Sequence, residues 1–131
     1  MRITTGLVFS LLAICAAAQS DQPPALACNP KAITAATRPR YEELSRRLRE
    51  AVRNRRELPN GYVLSLDEKA ISLTEAAEWM SLERLCCPFL TLQLETVAGQ
   101  GNWRLTLTGP SGAKAILEAA FAKTAAPNLA P

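Results

Sequence analysis

Apolar positions recur three and four residues apart through 40–58 (RYEELSRRLREAVRNRREL), where Tyr41, Leu44, Leu48 and Val52 line up as one stripe and predict a helix. The opposite face carries Arg46, Arg49, Arg53 and Arg56, interleaved with Glu42, Glu43, Glu50 and Glu57 at salt-bridge spacing. That mixture reads as a solvated helix face rather than a row built to grip phosphate. Pro59-Asn60-Gly61 then ends the helix and turns the chain, and 62–66 (YVLSL) alternates as a strand does. Ser72-Leu73-Thr74-Glu75 has the spacing of a capping box. A second helix is predicted from there through LTEAAEWMSLERLC, burying Leu73, Ala76, Ala77 and Met80, until Pro88 bars its continuation and biases Cys87 toward extended backbone. From Phe89 the period changes to two, with Leu90, Leu92 and Leu94 on one face and Thr91, Gln93 and Glu95 on the other. AGQGN supplies a loop and WRLTLTG alternates again, so these segments predict a hairpin, after which Gly109-Pro110-Ser111-Gly112 leads into a last helix, AKAILEAAFAK.

The order helix, strand, helix, strand, strand, helix implies an α+β fold: a small two-layer domain with a three-stranded mixed sheet and about three helices. A right-handed crossover through the middle helix should set the first strand parallel to the second. These elements occupy 40–123, a single domain of roughly 85 residues. Residues 19–39 are rich in Pro, Ala and Thr without a steady period and read as an irregular lead-in, and 124–131 (TAAPNLAP) as a flexible tail.

Upstream, Met1 and Arg2 precede an apolar run from Ile3 to Ala18 that is short for a membrane span. It reads as a signal peptide over 1–18, with Ala16 and Ala18 suited to cleavage before Gln19; an uncleaved membrane anchor is the rival reading. Cleavage would leave a periplasmic or secreted chain of about 110 residues. The formal charge of +3, about +2 without Arg2, demands no polyanionic partner, so no nucleic acid is expected. Membrane contact would come only through an uncleaved signal segment.

Candidate chemistry lies in the cysteines. The sequence holds four cysteines and no histidine. Cys15 would leave with the signal, and Cys28, Cys86 and Cys87 remain, an odd number where disulfides can form. On the second helix Glu83 stands three residues before Cys86 and four before Cys87, so its carboxylate leans toward both, with Trp79 one turn earlier. Activated thiols favour helix N-termini; these sit at a C-terminus beside an acid, and both influences raise a thiol pKa. Adjacent cysteines also suit a redox pair poorly, and a cysteine hydrolase lacks its usual imidazole base. The residues therefore assign no catalytic step, leaving enzyme activity open and disfavoured. Soft-ion binding fits better, because coordination deprotonates sulfur and the negative surroundings then favour the ion. The candidate ligands are Cys28, Cys86 and Cys87, with Glu83 as a fourth ligand or outer partner, and the candidate ions are zinc, copper(I), mercury(II) and arsenite. The alternative is a disulfide from Cys28 to Cys86 or Cys87, which would staple the lead-in to a periplasmic interaction domain with an unknown protein partner and no catalytic activity. Both readings require Cys28 to fold back onto the end of the second helix.

The segments ACNPKAI, ELPNGYVLSL, AEWMSLERLCCPFLTLQLE and LTLTGPSGAKAIL resemble, in that order, a largely uncharacterised family of small bacterial domains with a Cys-Cys-Pro-Phe motif. Similar sequences occur near or fused to regulators of the mercury-resistance type. The resemblance runs from Ala27 to about Phe121 and maps Cys28, Cys86, Cys87 and Glu83 onto the family's recurring positions. It implies a thiol site linked to soft metals or metalloids. The signal sequence is a departure, since the family's members are mostly intracellular, and export would expose the thiols to oxidation.

Overall fold

The computed structural model describes residues 26–121, and in it the stripe that opens at Tyr41 stops being helical at Ala51 rather than running to Leu58. The elements are a 3-10 turn (Pro30–Ala32), α1 (Arg38–Ala51), β1 (Val52–Leu58), β2 (Gly61–Asp67), α2 (Leu73–Cys86), β3 (Thr91–Thr96), β4 (Asn102–Thr108) and α3 (Ala113–Phe121). The expected signal segment 1–18 and tail 124–131 lie outside the described residues. The lead-in is shorter than expected, since α1 begins at Arg38 and the 3-10 turn precedes it.

The first correction is β1. Helix propensity is a weak prior, and here it loses to pairing: Val52–Leu58 runs antiparallel to β2 across the Pro59-Asn60 turn, which satisfies β2's outer backbone groups. Arg53 through Glu57 are all exposed, as befits an edge strand defended by charge. Two of these charges also tie β1 to α3. Arg55 pairs with Glu118 at 3.3 Å and Lys114 pairs with Glu57, while Arg55 and Lys114 lie 4.8 and 5.7 Å from the centre of the Tyr62 ring. The turn delivers β2 so close to β4 that a side chain at Gly61 would meet the Leu107 carbonyl oxygen at 1.9 Å, a contact only glycine avoids.

The second correction concerns the sheet, which has four strands in the order β1-β2-β4-β3, all neighbours antiparallel, rather than three strands of mixed direction. β2 and β3 do point the same way, but β4 lies between them. Burial explains the insertion. Every second residue of β4 (Trp103, Leu105 and Leu107) is buried, whereas Leu92 and Leu94 of β3 are only half-buried and suit an edge.

One face of the sheet carries the helices. Leu44, Leu48 and Ala51 of α1, Ala76 and Trp79 of α2, and Leu117 and Phe121 of α3 pack on Tyr62, Leu64, Leu66, Trp103, Leu105 and Leu107. Each leucine fully buried here contributes about 2 kcal/mol. α1 and α2 run antiparallel, because Tyr41 reaches Glu83, Ser45 reaches Trp79 and Arg47 reaches Glu75.

The capping box forms as expected: Ser72 Oγ accepts from the Glu75 N–H at 3.2 Å and Glu75 Oε2 accepts from the Ser72 N–H at 3.0 Å. The buried face of α2 is rotated from the expected one and consists of Ala76, Trp79, Glu83 and Cys86, while Leu73 and Ala77 are exposed and Met80 half-buried. Trp79 decides the rotation. It buries the largest apolar surface of the helix, and its indole Nε1–H finds an acceptor in Ser45 Oγ at 3.0 Å.

Candidate thiol site

The lead-in does fold back. The Asn29 N–H donates to the Cys86 carbonyl at 2.6 Å, and Arg38 Nη2 donates to the carbonyls of Pro30 and Ile33 at 3.2 and 2.9 Å, so the segment is anchored by its backbone. Ile33 is buried in a small cluster with Cys86, Cys87, Phe89 and Ala113. At the other side of the site, α2 ends where the sequence placed the stop. The Cys87 N–H closes on the Glu83 carbonyl at 2.7 Å, Cys87 leaves the helix at φ −121°, and Pro88 follows.

These two anchors bring three sulfurs together. Cys28 and Cys87 form a disulfide, Cys86 is a buried free thiol, and the three Sγ atoms lie within 4.8 Å of one another. Among the described residues this is the group of thiol and carboxylate side chains whose geometry suits an ion. Glu83, expected as a fourth ligand or outer partner, is not part of that group. Its side chain is instead buried at 8% exposure, with Oε2 accepting a hydrogen bond from Tyr41 Oη at 2.6 Å.

Electrostatics at this end of the helices follow from dryness. Burial pushes the Glu83 carboxyl above its ordinary 4.5, and the Tyr41 bond only partly offsets it. Burial also raises the Cys86 thiol, as does the neighbouring Glu83, against weaker opposition from Tyr41 and the Asn29 N–H. Tyr41 itself is driven far up, first by burial and then by its bond to Glu83. Cys86 is therefore a protonated thiol at neutral pH, a poor nucleophile in the absence of an ion or a base. The sequence anticipates this direction from Glu83 and the helix end; burial, the largest cause, is visible only in the fold.

The sulfurs form one end of a partly open cavity of about 220 Å³ between α1, α2, α3 and the sheet. Tyr41, Ser45, Leu48 and Arg49 line it from α1, Trp79 and Glu83 from α2, and Leu117 and Phe121 from α3. The sequence pattern assigns two of these residues otherwise: Tyr41 to the apolar core and Arg49 to the solvated face. A serine at position 45, one turn from both, is the signal that this part of the stripe faces something other than packed hydrocarbon. Comparison with protein-family models, with curated proteins and with solved structures finds no match for the chain.

Proposed function

We propose that the domain binds a soft metal or metalloid ion through Cys28, Cys86 and Cys87 once the Cys28–Cys87 bond is reduced. The observation that carries this reading is the approach of three sulfurs, from two separate parts of the chain, to within 4.8 Å of one another. A dithiol reductant would donate two electrons and two protons to the Cys28–Cys87 disulfide, giving three thiols at one point and leaving the reductant oxidised. Binding then displaces protons from sulfur, so the raised Cys86 pKa makes loading weaker as pH falls. Three thiolates suit trigonal copper(I), mercury(II) or arsenite, and zinc with a further ligand. Glu83 acts beside the ion as a proton acceptor held in place by Tyr41. The resemblance to the Cys-Cys-Pro-Phe domains supports an ion-binding role, and the signal-like segment 1–18 supports its taking place outside the cytoplasm.

The test is a titration of fully reduced protein with copper(I), zinc, mercury(II) and arsenite, read by competition with a chromophoric chelator and by thiol alkylation. One equivalent of ion should protect three thiols, and Glu83→Gln should weaken binding about tenfold. Unchanged affinity in the Cys86→Ser, Cys87→Ser double variant would overturn the assignment.

A second reading is favoured by the bond itself. The Cys28–Cys87 disulfide joins residues 59 apart and pins the lead-in to the core, as a stapled periplasmic interaction domain with no chemistry would require. Intact mass separates the two. A domain isolated with its disulfide closed, and whose reduced form takes up no ion, is the staple.

A further inference from the structure

We infer that the cavity is a binding site for a small apolar monocarboxylate, its head group on Arg49 and its body among Leu48, Leu107, Leu117 and Phe121. The inference does not depend on the sulfurs holding an ion. It rests on three features of the cavity: its size, the state of its polar groups, and one arginine.

At about 220 Å³ the space exceeds the roughly 150 Å³ of an engineered apolar cavity known to admit benzene, so it accommodates one ring or a short alkyl chain with a polar end. Most of the wall is hydrocarbon, which excludes sugars and polyanions. The polar groups toward the sulfur end already have partners: Tyr41 donates to Glu83, and Ser45 accepts from Trp79. Arg49 is the exception. Half-buried on the last turn of α1, its side chain makes no hydrogen bond or ion pair among the described residues.

Its neighbours on the same helix show how unusual that is. Arg38 donates to two carbonyls, Arg40 pairs with Glu78 and Glu43, Arg46 with Glu50, and Arg47 with Glu75. A guanidinium left without an acceptor beside an apolar cavity presents a planar fork that matches a carboxylate. Eight residues separate Tyr41 from Arg49 along α1, about 12 Å, which puts the head-group end well away from the acid Glu83. A monocarboxylate neutralises Arg49 and fills the hydrocarbon-lined remainder, whereas a neutral molecule of equal size does only the second.

The test uses the full chain with its disulfide intact, titrated at neutral pH with benzoate, phenylacetate and hexanoate and, as neutral counterparts, benzyl alcohol and hexanol. Binding is read from the indole signal of Trp79, which lines the cavity, with chemical shifts of the lining methyl groups as a second measurement. The carboxylates should bind roughly tenfold or more tightly than the alcohols, a charged hydrogen bond being the difference. Arg49→Gln should erase that preference while leaving alcohol binding in place, and Arg49→Lys should keep part of it. Equal binding of acids and alcohols by the unaltered protein, a preference that survives Arg49→Gln, or no saturable response to any of the five probes would each overturn the inference.

Discussion

Glu75 opens α2 and Glu83 lies two turns further along it, yet their surroundings drive two identical carboxyls in opposite directions from the same ordinary value of 4.5. Glu75 accepts from the Ser72 N–H and Oγ and pairs with Arg47, and these partners hold its carboxyl at about 2. Glu83 has no cation beside it, one hydroxyl donor and almost no solvent, and burial pushes it up. The difference teaches where chemistry sits in a chain with many charges. Where α1 and α2 carry Arg40 and Arg46 against Glu78 and Glu50, exposed ion pairs each contribute little. At the sulfur end a single unpaired acid is kept buried at a cost in stability, next to a thiol and a disulfide, and such arrangements concentrate at functional sites.

The strongest way to break this contrast is to remove what holds the sulfur end together. Closing a loop between residues 59 apart contributes about 4 kcal/mol by the chain-entropy account. Cys28→Ser should therefore lower the unfolding free energy by that order, with a matching fall in the denaturant midpoint that no longer responds to reductant, whereas oxidised Cys86→Ser should stay near the parent. If Cys28→Ser unfolds at the parent's midpoint, packing alone holds the lead-in. Next in size is Tyr41→Phe, which strips Glu83 of its donor and should cost about 1–3 kcal/mol in equilibrium unfolding. In a Glu83→Met background the same change should cost much less, because no buried acid is left unsatisfied. A cost that is equal in both backgrounds would mean that the tyrosine acts through packing. At the other end, Ser72→Ala removes the cap and should cost about 1 kcal/mol, additive with Tyr41→Phe because the two sites share no partner.

These effects also mark what the sequence can disclose. The capping box, the stop at Pro88 and the β3–β4 hairpin are legible because each is a local signal with a single physical reading. The extent of α1 is not, because Val52 continues a helical period and the residues after it are good helix formers; only pairing with β2 makes them a strand. The fourth strand of the sheet is hidden for the same reason. At the candidate site the adjacent cysteines and Glu83 are visible at once, and the meeting with Cys28 is a requirement that the backbone anchor at Asn29 satisfies. Tyr41 and Arg49 escape notice because their roles depend on α1 lying antiparallel to α2 across a cavity, a relation between elements that no period along one chain encodes.

The smallest effects carry the most specific sign. Glu75 is depressed in the folded state, so its contribution is fully present above 4.5 and fades as pH falls toward about 2. Glu83 is raised, so its contribution is fully present below 4.5 and is lost as pH rises through its folded value. Stability against pH should then fall on both sides of the mildly acidic range, with Cys86 adding a further loss above its ordinary 9.0. Glu75→Gln should flatten only part of the acid limb, by less than about 1 kcal/mol once solvent screening is allowed for, because Asp67, Glu78 and Glu118 are depressed as well and share it. Glu83→Gln should flatten the limb that falls as pH rises above 4.5 and leave the acid limb intact, since the introduced amide keeps an acceptor for Tyr41 without a charge to desolvate. Thermal unfolding of the two variants across this range measures both slopes in one experiment. Identical slopes in the two variants would mean that α2 holds its two carboxyls in equivalent surroundings, which removes the reason to look for chemistry at one end rather than the other.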